Sequence, residues 1–523
     1  VPWPTDTRAP WPPPEFARAY EALAEAATWY AGDPASLGKL YATVNRTTTR
    51  VLGGFWSRTV DTLVPASRQR LHLPAAADIA KSGADMLVGE PPVWSIPSEG
   101  KQPSEQRPIQ RRLDEILRDN GGNNRLHEAM EVGGALGGVY LVASWDKAVA
   151  DHPLWELVHA DAAVPTFRRG RLTEVVFWRQ VGPDDDPQKT WRHLELHEPG
   201  RVAHRLYLGT SEAIGRQVNL AEQDATRLLG QGLEASIALP DMTPLGGLDV
   251  EYVANQRPAR RLRSDRVAAM WGRSDFEGAE GFMDALDEAF TALIREIRLA
   301  KARIIVPNEY LDQGRAGEGK SFDTEAEAFA GLDMAPGTTD QPAITLAQFE
   351  IRTEQLVGAC RELFAQVVSM SGYAPQSFGL EIEGPAESGT ARRIKERKSV
   401  ATTRAKWGYW ESAAERLGER LLVIDREVFG RSTEVERPNL EPGDVFESDL
   451  SEVAQTIALL DSAEAVSDEI KVEMAHPRWT EAERAEEVAR IAKRREAERP
   501  PEPFGAGGEG GQDQGDEGEG PPA

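Results

Sequence analysis

The chain has 523 residues, with 85 acidic against 60 basic side chains and a formal charge of −25. That length suits several core-forming units, and the acidity argues against a protein that grips nucleic acid tightly, because such affinity comes from neutralising phosphates with Lys and Arg. A single cysteine, Cys360, excludes a disulfide framework and a thiolate metal site.

No apolar run approaches the ~20 residues that span a bilayer. The first residues lack the cationic start and apolar core of a secretory signal, so none is expected. Residues 1–14 are rich in Pro and Trp and predict an extended arm. Glu15 to Tyr30 has helical spacing, with Phe16, Tyr20, Leu23 and Ala27 on one side. Pro65, Pro74, Pro91 and Pro92 punctuate the next stretch. Within it Ile79, Gly83, Met86 and Leu87 predict a helix, then a turn and a short strand. Pro108–Asp119 and Asn124–Leu136 predict two further helices, divided by Asp-Asn-Gly-Gly at 119–122. Strands are expected at 137–146, Leu154–His159, Leu172–Gln180, Thr190–Glu198 and Val202–Leu208, a β-rich block with the spacing of antiparallel meanders. Residues 209–250 add a short amphipathic piece and strand-like ends.

Arg257, Arg260, Arg261, Arg263 and Arg266 form a basic cluster. Ser274 and Glu277 then have capping-box spacing, which predicts a helix running to about Arg303. On it Met283, Leu286, Phe290, Leu293, Ile297, Ala300 and Ile304 alternate by three and four, a seam for packing on neighbouring helices. Residues 304–349 predict short strands and a Gly-rich loop. Phe349 to Gly430 reads as helix, Gly/Pro-rich loop and long helix. In the long helix Trp407, Trp410, Ala414, Leu417, Leu421, Ile424 and Val428 keep one apolar stripe. Its first turns carry Arg392, Arg393, Lys395, Arg397 and Lys398, where the helix dipole favours negative charge. A partner must offset that cost: Glu381, Glu383 and Glu387 in the loop before it, acids of a neighbouring subunit, or a polyanion. Residues 439–449 predict a polar connector, Ser451–Ala475 and Thr480–Arg499 two helices, and 500–523 a disordered acidic tail.

Gly314 to Ser321 fits the phosphate-loop pattern GxxxxGK[ST]. A nucleotidase using Lys320, Ser321 and Asp425 is therefore one alternative. The context opposes it, because an acidic stretch without an apolar stripe follows the motif, and Leu421–Asp425 lies inside the helical stripe. His193 and His197 are four apart, which suits zinc only on a helix. Their alternation with Arg192, Leu194 and Leu196 predicts a strand with a polar outer face and no metal. Gly133–Gly138 follows a helix and precedes a strand, the reverse of a dinucleotide loop. Ser388 lacks a nucleophile elbow. Cys360, in a helix among apolar residues, reads as a buried inert thiol. No catalytic residue, metal site or cofactor is expected.

Several strings resemble the portal proteins of tailed bacteriophages, in particular those of phages infecting actinobacteria. They are LPAAADIAKSGADMLVGEPP at 73–92, HPLWELVHADAAVP at 152–165 and GRSDFEGAEGFMDALDE at 272–288 running on into AKARIIVP at 300–307. SGYAPQSFGL at 371–380 with ESGTA at 387–391 completes the order. The resemblance implies an α+β, mostly helical portal fold that assembles as a ring, typically a dodecamer. It implies an N-terminal arm (1–14) and a wing (15–271) whose β-rich part is about 137–250. A stem helix (272–303), a clip (304–349), a returning stem helix (350–373) and a channel loop (374–390) follow. The long wing helix with its connector (391–446), a crown (447–499) and the tail (500–523) complete the chain.

Channel-loop candidates on this reading are Glu381, Glu383, Glu387, Ser388, Gly389, Thr390, Arg392, Arg393 and Lys395. The stem seam would be Met283, Leu286, Phe290, Leu293 and Ile297. The implied role is not enzymatic: a channel at the capsid vertex through which double-stranded DNA is packaged by a terminase, retained and ejected. Implied partners are further copies of the chain, the terminase large subunit, a head-tail adaptor at the clip, and the major capsid and scaffolding proteins, with no membrane. Assembly would take place in the host cytoplasm and the product would sit in the virion. An acidic channel suits that role, because many phosphate contacts would stall the cargo, and head-to-tail contacts that close give cyclic symmetry. A non-viral helical adaptor, its acidic tail binding a basic partner, is the remaining alternative.

Overall fold

The computed structural model describes residues 3–44, 70–97, 107–182, 186, 188–243, 246–299, 352–380, 389–431, 434–443, 450–463, 465–476, 479 and 481–498, together with four short strands between 303 and 347. The chain divides into two units, Val1–Val445 and Phe446–Ala523, and its class is α+β.

The Pro-rich arm runs irregularly to a 3-10 turn at Pro14–Phe16. It is tied down along its length. The backbone N–H groups of Ile214 and Gly215 donate to the carbonyls of Ala9 (2.8 Å) and Thr7 (3.0 Å), and Trp11 is buried. Helix α1, Ala17–Ala31, ends at Gly32 with φ 65°. Helix α2, Pro34–Val44, follows at once; the sequence reading did not anticipate it. Helix α3, Ala75–Val88, buries Ile79, Ala80, Met86 and Leu87, and β1 is Val93–Ser95. Helices α4, Pro108–Asp119, and α5, Gly122–Leu136, are separated at the expected break, where Gly121 takes φ 83°.

Then come β2 (Gly138–Ser144), β3 (Leu154–His159), β4 (Ala163–Arg168), β5 (Arg171–Gln180), β6 (Thr190–Glu198), β7 (Arg201–Gly209) and β8 (Arg216–Val218). The one-turn α6 (Asp224–Arg227), β9 (Glu234–Ala238) and β10 (Val250–Ala254) complete the block. These strands form two antiparallel sheets rather than one meander. One has the order β10-β2-β3; the other has β4-β5-β6-β7-β8, with β9 also pairing β7. The strand expected at 190–198 is present, but its supposed polar outer face is buried, with His193 and His197 only 2% and 1% exposed. The expectation assumed one solvated face. Instead Tyr140, Val142 and Val250 of the smaller sheet pack on Val175 and Phe177 beside those histidines. Leu194 and Leu196 on the other face join the core of the N-terminal helices.

Helix α7, Glu280–Leu299, starts later than the capping-box reading places it. Gly278 takes φ 95°, and Glu277 is diverted to accept the backbone N–H of Arg260 at 3.0 Å. Ser274 Oγ accepts only from the N–H of Phe276, at 3.3 Å. Strands β11 (Arg303–Ile305) and β14 (Thr345–Ala347) pair antiparallel, as do β12 (Asp312–Gln313) and β13 (Lys320–Ser321) between them. Helix α8 is Thr353–Met370. The long helix α9, Gly389–Ile424, runs into a π-helical turn at Asp425–Phe429. Residues 439–441, expected in a polar connector, form β15 and pair with β1; Leu440 supplies the apolar anchor and is 1% exposed. In the second unit the helix expected at 451–475 is two helices, α10 (Leu450–Ser462) and α11 (Asp468–Ala475), followed by α12 (Glu481–Glu498). The break falls where Ser467 is extended, with Asp468 in the first turn of α11.

Two cores meet across α3 and α5. One joins Phe16, Trp29, Ile79, Met283, Val367 and Tyr373. The other joins Leu113, Ile116, Leu126, Trp155, Trp410, Leu417 and Leu421. All seven residues of the expected α9 stripe are buried or partly buried. Backbones approach closely where the cores meet: Gly137 has φ 81°, and a Cβ there would lie 2.7 Å from the carbonyl oxygen of Gly272. Gly137→Ala is therefore expected to destabilise the protein by at least about 1–2 kcal/mol, the cost of left-handed backbone for an L-residue, with the clash added. A lower denaturant midpoint checks it.

Candidate functional site

Helices α7 and α8 pack together as an antiparallel pair. At one end Arg352, just before α8, pairs with Glu296 of α7. At the other end the Tyr373 hydroxyl, just past α8, reaches Asp275, just before α7, at 3.4 Å. The expected seam on α7 is divided. Met283, Leu286 and Leu293 are buried and Phe290 is half-buried, whereas Ile297 is 45% exposed. Phe282 on α7 and Val357 and Met370 on α8 are exposed too.

The pair is bolted to α9 by a buried polar knot. Lys406 Nζ donates to Asp275 Oδ2 at 2.6 Å and to the Tyr373 hydroxyl at 2.7 Å. Asn255 and Gln256 donate to Asp275 Oδ1 at 2.7 and 3.1 Å. Lys406, Asp275 and Tyr373 are essentially inaccessible. Burial pushes the Lys406 ammonium below its usual range, with the Asp275 carboxylate pulling the other way. Burial, together with Asp275, pushes the Tyr373 hydroxyl well up.

Smaller bonds extend the stitching one turn at a time. Thr402 Oγ1 donates to the Gly372 carbonyl at 2.5 Å, Ser399 Oγ accepts the N–H of Ala374 at 2.8 Å, and Lys398 caps the Ser369 carbonyl. The chain on either side of residues 381–388 is thus tied into the same set of bonds, through residues 369–374 on one side and 398–406 of α9 on the other. None of the knot residues was expected from sequence, although a signal existed: Lys406 lies four residues before Trp410, on the buried stripe.

The expected channel residues divide between the segment 381–388 and the start of α9. Glu381, Glu383, Glu387 and Ser388 lie outside the described residues. Gly389, Thr390, Arg392, Arg393 and Lys395 lie on the first turns of α9, with the side chains at 389–395 outside the described set.

The phosphate-loop residues are not arranged for nucleotide. Lys320 and Ser321 lie in β13, paired with Gln313 and Asp312, where a phosphate loop would place them at a helix start. Asp425 is fully buried at the end of α9 and accepts from Arg112 Nε and Nη2 at 3.0 and 2.8 Å. Cys360 is half-buried, and burial pushes its thiol up. Among the described residues no helix is long and apolar enough to cross a membrane.

Elsewhere, His193 and Glu195 of β6 and His204 of β7 bring possible ligand atoms within 4.8 Å of one another. They adjoin a cleft of about 300 Å³ between the two sheets, lined in part by His193, Glu195 and His197. Sequence spacing sets His193 beside His197; the sheet register pairs Glu195 with His204.

The family "Phage portal protein, SPP1 Gp6-like" matches residues 14–501. The chain belongs to the phage portal proteins. The match runs past the quoted strings, which end at residue 391, to take in helices α10 to α12 of the second unit. Phage portal proteins are structural rather than enzymatic. No curated protein matches the chain.

Proposed function

We propose that this portal protein closes into a ring, a dodecamer by family resemblance, at the capsid vertex of a tailed phage of the kind that infects actinobacteria. Double-stranded DNA passes through the ring, driven by a terminase large subunit, and is then retained and later ejected. On this reading α7 and α8 are the stem and 304–349 the clip that meets a head-tail adaptor. Residues 374–390 are the loop facing the channel, 447–499 the crown inside the head, and 15–271 with α9 the wing against the capsid or scaffolding protein. Assembly takes place in the host cytoplasm.

The observation that carries the proposal is the helix pair fastened to α9 on either side of residues 381–388, within a chain matched by the portal family over 14–501. The exposed apolar residues Phe282, Ile297, Val357 and Met370 support contact between neighbouring copies. The charge of −25 supports passage of DNA without capture. Electron microscopy of the purified protein is expected to show rings with a central hole; a monomer that persists at high concentration would sink the reading. Arg392→Ala combined with Arg393→Ala is expected to leave ring formation intact and to lower the yield of DNA-filled particles. Loss of the rings themselves would instead place the two arginines between subunits.

A further inference from the structure

We propose that His193, Glu195 and His204 form a binding site for a divalent transition-metal cation of the zinc type, with His197 and Asp249 holding the carboxylate in place. The site follows from strand register. Glu195 of β6 lies directly opposite His204 of β7, and His193 is two residues along β6, on the same face by the period of a strand. The ligand atoms lie within 4.8 Å of one another, and His204 Nδ1 is 3.7 Å from Glu195 Oε2. Ligand bonds of about 2.0–2.2 Å to zinc need somewhat shorter separations, so the side chains would turn inward on binding.

Two orphaned atoms point to the ion. His193 Nε2 and His204 Nδ1 are buried without a hydrogen-bond partner, and buried polar atoms rarely stay unsatisfied. The rings are 2% and 5% exposed and stack with centroids 5.4 Å apart.

Glu195 is oriented as a ligand. His197 Nε2 bonds Glu195 Oε1 at 3.0 Å, leaving Oε2 toward His204, and His197 Nδ1 is held by Asp249 at 2.9 Å. Metal sites use such outer partners to fix their ligands. The Glu195 side chain stays 31% exposed, and it lines the cleft together with His193. A water molecule entering from the cleft completes four-coordination. Two imidazoles and one carboxylate suit zinc and argue against Mg²⁺ and Ca²⁺, which take oxygen shells. Bound there, the ion would clamp the β6–β7 hairpin.

The test is metal uptake by the full-length, chelator-stripped protein. Titration with Zn²⁺ is expected to load one ion per chain, with no uptake of Mg²⁺. His193→Gln and His204→Gln each abolish it with the circular dichroism unchanged, since neither replacement breaks a hydrogen bond. Asp249→Asn weakens binding by about 10–100-fold, the usual effect of removing an outer partner. Co²⁺ added to the unaltered protein gives the intense visible bands of a tetrahedral site, a readout that needs no variant. Absence of uptake, uptake unchanged in both glutamine variants, or the weak bands of an octahedral site would overturn the proposal.

Discussion

Replacing Lys406 by Met is expected to cost roughly 3–5 kcal/mol of stability, the scale of removing one partner from a buried ion pair. The reason is what stays behind. Asp275 is fully buried, its Oδ1 accepts from Asn255 and Gln256, and its Oδ2 faces Lys406 and the Tyr373 hydroxyl. Without the ammonium, the carboxylate remains in low dielectric with only the Arg273 guanidinium, which does not hydrogen-bond it, to offset its charge. Adding Asp275→Asn should recover most of the loss. The amide keeps an acceptor toward Asn255 and Gln256 and turns a donor toward Tyr373, so no buried charge is left. Denaturant midpoints of the two single variants and the double variant form the cycle. A Lys406→Met change within about 0.5 kcal/mol of the parent, the range of ordinary surface substitutions, would mean that the knot holds nothing together. Because the knot ties α8, α9 and the segment before α7 into one body, the same variant should loosen both ends of residues 381–388.

Local pattern was enough for the elements that local pattern specifies. The stripe from Trp407 to Val428, the helix around Ile79 and Met86, and the strands at 154–159 and 190–198 each carry a periodic apolar signal over their own length. What failed depended on distant residues. β15 exists because Leu440 is buried and its strand pairs with β1, more than 300 residues earlier. The helix start at Ser274 was overridden because Glu277 serves Arg260, and Asp275 serves Lys406. The split between α10 and α11 turns on Ser467, which an averaged helical spacing passes over.

The site divides in the same way. The helix–loop–helix order around 381–388 was legible because Gly and Pro punctuate it. The knot was not, since a lone Lys on an apolar stripe reads as a surface residue until its partner appears 131 positions away. The histidine group shows the opposite case. The sequence held enough to find it, because the hairpin turn at Pro199–Gly200 sets Glu195 against His204. Spacing within one strand shows only His193 and His197; Glu195 and His204 meet only across the pairing of two strands.

Trp410→Ala is expected to cost about 3–5 kcal/mol, the range for truncating a large buried aromatic. Trp410 is 1% exposed and joins the core built from α3, α4, α5, β2 and α9. Gly133 of α5 lies against it: a Cβ at that position would make ordinary contact with the indole ring at 3.5 Å. Truncation leaves a cavity among the side chains of this close-packed core, and the cost follows from how little they can close it. Trp407 provides the contrast. It is 9% exposed, and its indole N–H is buried without a partner, so Trp407→Phe discards an unsatisfied group and should cost less than about 1.5 kcal/mol, as tolerated core swaps do. Since α9 carries the first turns that follow residues 381–388, releasing it at Trp410 leaves the Lys406 knot as the nearest fastening on that side. Amide hydrogen exchange along 407–421 is expected to quicken in Trp410→Ala while 396–406 keeps its protection. Equal loss of protection over both stretches would show that α9 is held as one unit and that the knot does not fasten its first half independently.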